Sequence, residues 1–99
     1  MSEDGRNLWR DIQEAYRIDD PGGLVLLRVA CEALDRAERC RRLIDDQGEM
    51  LTIRGIPRAH PALAAERDAR AAIVRAIRNL NLDLEPLKAI GRPPGQLGG

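Results

Sequence analysis

The chain has 99 residues, which is enough for one domain and too few for two ordinary ones. Hydrophobic residues make up 43% of the chain but aromatic residues only 2%, so a core must be built from Leu, Ile, Val and Ala, a composition that favours helices. The sixteen basic and sixteen acidic residues cancel, so the net charge gives no reason to expect an acidic partner. At this length folding removes roughly two-thirds of the surface from water, so self-association would add stability.

The charges are distributed unevenly along the chain. Residues 1–50 carry eight basic and twelve acidic residues, a net charge of −4, and residues 51–99 carry eight basic and four acidic residues, a net charge of +4. This asymmetry is compatible with nucleic-acid binding by the basic half. It is equally compatible with head-to-tail packing of subunits whose opposite charges face each other.

The first two helices are predicted in turn from apolar periodicity and capping residues. Apolar residues at three- and four-residue intervals predict a helix over residues 6–18. Asp20 and Pro21 predict the start of a second helix, because Asp is a good N-cap and Pro fits the first turn. An apolar stripe predicts that this helix continues over residues 21–47 and ends at Gly48. A helix of about 27 residues is about 40 Å long, a length that favours a partner.

The other side of the second helix is charged and is predicted to face solvent or another subunit. Glu32 with Arg36 and Asp35 with Arg39 have the spacing of helical ion pairs. Cys31 and Cys40, nine positions apart, fall on opposite sides of this helix, so we expect free thiols.

Residues 49–60 break the helical period and are predicted to form a connector with a short extended piece or hairpin. His60 and Pro61 start a third helix over residues 61–80, and we expect His60 to cap or pack there. A short helix over 83–90 and a flexible tail over 91–99 complete the prediction. The predicted fold is an all-α helical hairpin with a long central helix and a short N-terminal helix.

The sequence offers no recognisable set of catalytic or cofactor-binding residues. It has one His, no Gly-rich phosphate loop and no paired Cys or His at metal-binding spacing. We therefore predict no enzymatic activity, no metal, no cofactor and no small-molecule substrate. A secretory signal and a stretch of about 20 apolar residues are also lacking, so we expect a cytoplasmic protein without a membrane partner.

The basic half supplies candidate contacts to DNA. Because aromatic residues are not interleaved with the basic ones, base stacking is disfavoured and contact with duplex phosphates stays open. The DNA-binding candidates are Arg54, Arg58, Arg67, Arg70, Arg75 and Arg78. The candidates for the core or an oligomer interface are Trp9, Leu26, Leu27, Ala30, Leu34, Ala37, Ile73 and Ile77.

The order of these features resembles the small subunit of tailed-phage terminase. The resemblance covers roughly residues 8–95 and is carried by the segments LWRDIQEAY, LRVACEALDRAERCRRLIDDQGEM, IRGIPRAHPAL and ERDARAAIVRAIRNLNLDLEP. Members typically close the last helix with Leu-Gly-Leu. Asn81 takes the place of that Gly here, and Asn also tolerates the left-handed conformation.

The resemblance implies a non-enzymatic protein that forms a homo-oligomeric ring in the host bacterial cytoplasm. It implies that the ring engages double-stranded viral DNA at packaging initiation and recruits or regulates the large terminase subunit, an ATPase and nuclease. The alternative is a helical oligomerisation or adaptor protein that binds only other proteins. A helix-turn-helix regulator is disfavoured, because the connector of about twelve residues is longer than the tight turn of that motif.

Overall fold

The computed structural model describes residues 1–82, which form three helices and one β-hairpin. The helices are α1 (Glu3–Tyr16), α2 (Pro21–Gln47) and α3 (Pro61–Leu80), and the strands are β1 (Met50–Ile53) and β2 (Ile56–Ala59). The protein is mostly helical, as predicted, and the sheet lies in the connector where an extended piece or hairpin was expected. The predicted helix over 83–90 and the tail over 91–99 lie outside the described residues.

Capping residues set where α2 starts and where α2 and α3 end. Asp20 caps α2, since its Oδ2 accepts a hydrogen bond from Gly23 N at 2.7 Å, and Gly48 follows the last turn with a φ of 89°. Asn81 ends α3 in the left-handed conformation, with a φ of 55°. These three predictions are confirmed.

The helix α1 begins and ends earlier than the predicted range of 6–18. Arg17 stops it in the left-handed conformation, with a φ of 51° and its N–H bonded to Gln13 O. Its start at Glu3 depends on a residue of α2. The side chain of the N-cap residue Ser2 makes no capping hydrogen bond, and the buried carboxylate of Asp35 takes that role.

Asp35 accepts hydrogen bonds from two backbone N–H groups at the start of α1. Its Oδ2 lies 2.7 Å from Ser2 N and its Oδ1 2.7 Å from Gly5 N. The prediction that Asp35 faces solvent or a subunit is wrong, because α1 packs over it and leaves it 4% exposed. Burial alone would raise the pKa of this carboxyl, but the two N–H groups and the nearby charge of Arg39 hold the pKa below its usual range.

One cluster of large apolar side chains lies where α1 packs on α2, while Ile44 is buried separately near the end of α2. Ile12, Leu27 and Cys31 are buried in that cluster. The residues packed around them are Leu8, Trp9, Tyr16, Ile18, Ile77, Leu80 and Leu82. Burial raises the pKa of the Cys31 thiol to about 11, and the charges of Asp35 and Glu32 add to the effect, so Cys31 is a protonated packing residue at neutral pH. Cys31 and Cys40 are both free, as predicted.

The remainder of α2 packs against α3 through small side chains. The two helices run antiparallel, since residue 38 of α2 faces residue 70 of α3 while residue 41 faces residue 66. The buried alanines of this seam are Ala30, Ala33 and Ala37 on α2 and Ala62, Ala69 and Ala76 on α3. Each alanine buries little apolar surface, so this seam gains its stability from many close contacts and not from a few large side chains.

The predicted core or interface residues divide into two groups. Leu27, Ala30 and Ala37 are buried. The half-buried members are Trp9, Leu26, Leu34, Ile73 and Ile77.

No helix within residues 1–82 has the length and apolarity needed to cross a membrane.

Candidate nucleic-acid and subunit interfaces

The β-hairpin joins α2 to α3 and places Arg54 at its tip. The strands pair antiparallel from Met50 opposite Ala59 to Ile53 opposite Ile56. Arg54 and Gly55 form the two-residue turn with φ angles of 53° and 79°, the combination that a type I′ turn requires. Gly, Asn and Asp are the residues that usually occupy such a turn, so an arginine here is uncommon.

His60 fixes the base of the hairpin. Its backbone N donates to Glu49 O at 2.7 Å, and its Nδ1 accepts the N–H of Ala62 at 3.0 Å, which makes it the N-cap of α3 as predicted. Its Nε2 lies 2.7 Å from Gln47 Oε1. Because Nδ1 acts as an acceptor, Nε2 carries the proton and donates it to Gln47. One buried side chain therefore connects the end of α2 to the start of α3.

Replacing His60 by alanine is expected to lower the free energy of unfolding by about 1–2 kcal/mol, since the cap of α3 is removed together with the bond to Gln47. The H60N variant keeps an N-cap acceptor and is expected to lose less than half as much. Urea unfolding followed by circular dichroism measures both. Equal destabilisation by H60A and H60N would contradict the capping role.

One group of charged residues ties α2 to α3. Arg70 donates to Glu66 Oε2 from Nη2 at 2.8 Å and from Nε at 3.1 Å, and to Glu38 Oε1 at 3.3 Å. Arg41 donates to the other oxygen of the buried Glu66 at 3.3 Å. The Nε of Arg41 also lies 3.2 Å from Asp45 Oδ1, an ion pair outside hydrogen-bonding geometry. Hydrogen bonding to Glu66 raises the pKa of Arg70. The charge of Arg70 is therefore paired with carboxylates of the same chain.

The other predicted DNA-binding arginines are exposed. Within residues 1–82, Arg54, Arg58, Arg75 and Arg78 form no ion pair, and Arg67 contacts only the adjacent Asp68, at 3.7 Å. Arg67 and Arg78 are eleven positions apart on α3, about three turns, and therefore lie on one side of the helix. Arg75 lies on the same side, away from the alanine seam. We call Arg67, Arg75 and Arg78 the α3 basic face.

The hairpin also exposes apolar side chains. Ile53 is 48% exposed and Ile56 is 53% exposed, and Met50 is exposed as well. Ile53 and Ile56 are cross-strand partners, so they lie on the same face of the sheet, which we call the hairpin face. A two-stranded hairpin is at best marginally stable alone in water, so a covering partner would stabilise it.

A second apolar surface lies between α1 and α2. We call it the Trp9 groove; it has a volume of about 640 Å³ and is lined by four apolar and two charged residues, namely Trp9, Leu24, Val25, Val29, Arg28 and Glu32. Val25 is 63% exposed and Val29 is 43% exposed. The groove continues past Trp9 into a space of about 540 Å³ beside Arg6, Asn7 and Arg10.

The described part of the chain holds no cluster of three or more His, Cys, Asp or Glu side chains arranged to bind a metal ion. Comparisons of the chain with protein families, curated proteins and solved structures find no match. The surfaces that bear on function are the α3 basic face, the hairpin face and the Trp9 groove.

Proposed function

We propose that this chain is a terminase small subunit, a non-catalytic adaptor that assembles into a ring and engages viral duplex DNA at packaging initiation. In this proposal the ring also recruits or regulates the large ATPase and nuclease subunit. The observation that carries the DNA contact is the division of the arginines. Arg41 and Arg70 are used within the fold, whereas the α3 basic face and the hairpin arginines Arg54 and Arg58 remain available.

The chemistry of the basic surface favours phosphate contacts over base recognition. The aromatic residues of the chain, Trp9 and Tyr16, both lie on α1 and are part of or packed against the core, so they do not supply a stacking platform beside the arginines. Guanidinium groups pair well with phosphate oxygens, and such contacts carry no sequence information directly. A ring repeats the surface in every subunit, so modest single-subunit affinity is multiplied through avidity.

A DNA-binding experiment with charge-matched variants tests this role. The R75Q/R78Q variant removes two phosphate contacts and is expected to weaken duplex binding roughly ten- to a hundredfold at about 0.1 M salt. The slope of log K against log salt concentration is expected to fall in magnitude by about 1.8 for each bound subunit. The control R36Q/R42Q removes two exposed arginines from α2, in the half of the chain that is net acidic; Arg42 lies 3.7 Å from Asp4 Oδ2, an exposed ion pair that contributes little to stability. Fluorescence anisotropy over a salt series, with the mass checked by light scattering, provides both quantities.

The control decides how the result is interpreted. An equal loss in R36Q/R42Q would show that binding follows net charge and would contradict a specific role of the α3 basic face. An intact oligomer that does not bind duplex DNA would overturn the DNA role.

The second candidate function is an adaptor that binds only proteins. The observation that favours it is the pair of exposed apolar surfaces, the hairpin face and the Trp9 groove, which are typical of protein contacts. This candidate predicts self-assembly or binding of another protein, with no salt-dependent affinity for DNA. Stimulation of the large subunit's ATPase by a DNA-binding assembly would favour the packaging adaptor.

A further inference from the structure

We infer that the hairpin face of one copy of this chain occupies the Trp9 groove of the next copy. The inference deepens the self-assembly part of the proposed function and rests on it. It assigns a head-to-tail contact in which each copy offers one surface to each neighbour. Three features of the described residues support it: the positions of the two surfaces, their apolar exposure and their charges.

The two surfaces lie at opposite ends of α2. The Trp9 groove uses Leu24, Val25 and Val29 near the start of the helix, whereas the hairpin follows Gln47 at its end. Eighteen residues separate Val29 from Gln47, which is about 27 Å along a helix. Because one chain cannot bring its own hairpin back to its own groove, a contact that uses both surfaces joins different copies. Two different surfaces in contact form a heterologous interface, which closes into rings or extends into filaments.

Both surfaces leave apolar side chains in water that a contact would cover. Ile53 and Ile56 project from one face of a two-stranded sheet, and Val25 and Val29 border the groove. The groove volume of about 640 Å³ falls in the range of clefts that hold ligands or side chains. Covering the hairpin face would also stabilise a sheet that is marginal by itself.

The hairpin is basic, whereas the end of the molecule that holds the groove is net acidic. The hairpin carries Arg54 and Arg58 and no acidic residue in either strand or the turn. The opposite end of the molecule is acidic, since residues 1–32 contain seven acidic residues and four arginines. Exposed Asp19 and Asp20 precede Leu24 of the groove by about one turn, and Glu32 borders its other end. Arg28 also lines the groove, and Arg6 and Arg10 lie beside its continuation, so the acidic partners for a neighbour's hairpin arginines are Glu32 and the exposed Asp19.

The contact assigns Arg54 and Arg58, which are unpaired within residues 1–82 of a single copy, to the subunit interface and leaves the DNA contact to the α3 basic face. Arg58 is on the same face of the sheet as Ile53 and Ile56, because it pairs with Leu51 two residues before Ile53. Docking of this face brings Arg54 and Arg58 to the neighbouring subunit. The α3 basic face stays free for duplex DNA.

Two variants that each damage one surface test the contact. I53T/I56T removes apolar area from the hairpin while keeping β-branched residues, and V25E/V29E places charges in the Trp9 groove. The matched control is V74E, which alters an exposed valine of α3 that belongs to neither surface. Far-ultraviolet circular dichroism confirms that each variant retains the wild-type helical content, and light scattering gives the mass of each variant and of their equimolar mixture.

The wild-type chain and V74E are expected to assemble beyond a dimer, and each surface variant alone is expected to be monomeric. Mixing the two variants should restore one contact, between the intact hairpin of V25E/V29E and the intact groove of I53T/I56T. The expected product has twice the mass of one chain and grows no further. Assembly of either surface variant alone, or a mixture that stays monomeric, would overturn the contact.

The outcomes separate this inference from the proposed function. A wild-type chain that is monomeric at every concentration overturns both the contact and the ring. Surface variants with wild-type mass overturn the contact alone and favour another interface or a different protein as the occupant. Loss of salt-dependent duplex binding in R75Q/R78Q is measured independently of either result.

Discussion

Replacing Asp35 by alanine is expected to lower the free energy of unfolding by about 3 kcal/mol, because two hydrogen bonds to a charged acceptor are lost and two N–H groups at the start of α1 lose their partner. The carboxylate is buried and holds Ser2 N and Gly5 N at 2.7 Å each. Urea unfolding at pH 7, followed by circular dichroism, measures the change. Because the two bonds connect α1 to α2, we also expect faster proteolysis within α1.

The exposed Asp46 of the same helix provides the control. Within residues 1–82 it forms no ion pair, so D46A is expected to change the free energy of unfolding by no more than about 0.5 kcal/mol. A D35A variant as stable as D46A would contradict the role of Asp35 in holding α1.

The D35N variant adds a pH test of the same site. The pKa of Asp35 is lower in the folded protein than in the unfolded chain, so its charge contributes stability above the unfolded pKa of about 3.9. We expect the difference in unfolding free energy between wild type and D35N to be constant above about pH 5 and to shrink as the pH falls from there through the folded pKa. A difference that grows on acidification would contradict the lowered pKa.

Helix boundaries in this chain were predictable where the signals are local. Asp20, Gly48 and His60 act on backbone groups within four residues of themselves, so their types and positions are sufficient to indicate a cap. The hairpin was predictable for the same reason, since Gly55 suits the tight turn.

The role of Asp35 was not predictable, because its partners are 30 and 33 positions away in α1. The helical period places Asp35 among the charged residues of α2, and only the packing of α1 shows that it is covered. This tertiary contact also explains why α1 starts at Glu3, three residues before the predicted start. Long-range contacts of this kind leave no signal in the spacing of residues along the sequence.

The sequence also could not show which of the candidate DNA-binding arginines are paired within the fold. Arg70 and Arg75 both lie on α3 and look equivalent in the sequence. The contacts of Arg70 with Glu66 and Glu38 separate them, since Glu38 belongs to α2 and is 32 positions away. Exposure of Val25 and Val29 likewise depends on where α1 stops covering α2, which the apolar pattern does not specify.

Replacing Gly5 by alanine is expected to destabilise the protein by about 2–4 kcal/mol, through overpacking and loss of the bond to Asp35. A Cβ atom at this position would lie 2.5 Å from Asp35 Oδ2 and 2.7 Å from the carbonyl oxygen of Cys31. The side chain of Asp35 can turn away, but the backbone of α2 at Cys31 cannot, so α1 must shift. The sign of the change in unfolding free energy is informative, because Ala in place of Gly stabilises an unobstructed helix by about 1 kcal/mol.

The matched control is Gly22→Ala, in the first turn of α2. The nearest atom to a Cβ there is Asp20 Oδ2 at 3.7 Å, an ordinary contact, so G22A is expected to be neutral or stabilising by up to about 1 kcal/mol. Removing the Asp35 side chain relieves only part of the obstruction at Gly5, since the Cys31 carbonyl remains. The double variant G5A/D35A should therefore lose less stability than the sum of the two single variants.

Displacement of α1 reaches the Trp9 groove, because Trp9 follows Gly5 by about one turn of α1 and lines the groove with Val25 and Val29. If the groove receives a neighbour's hairpin, G5A should weaken self-assembly under conditions where the variant is still folded, and G22A should not. Light scattering beside urea unfolding separates the two effects. A G5A chain with wild-type stability would show that α1 does not pack on α2 through this close approach.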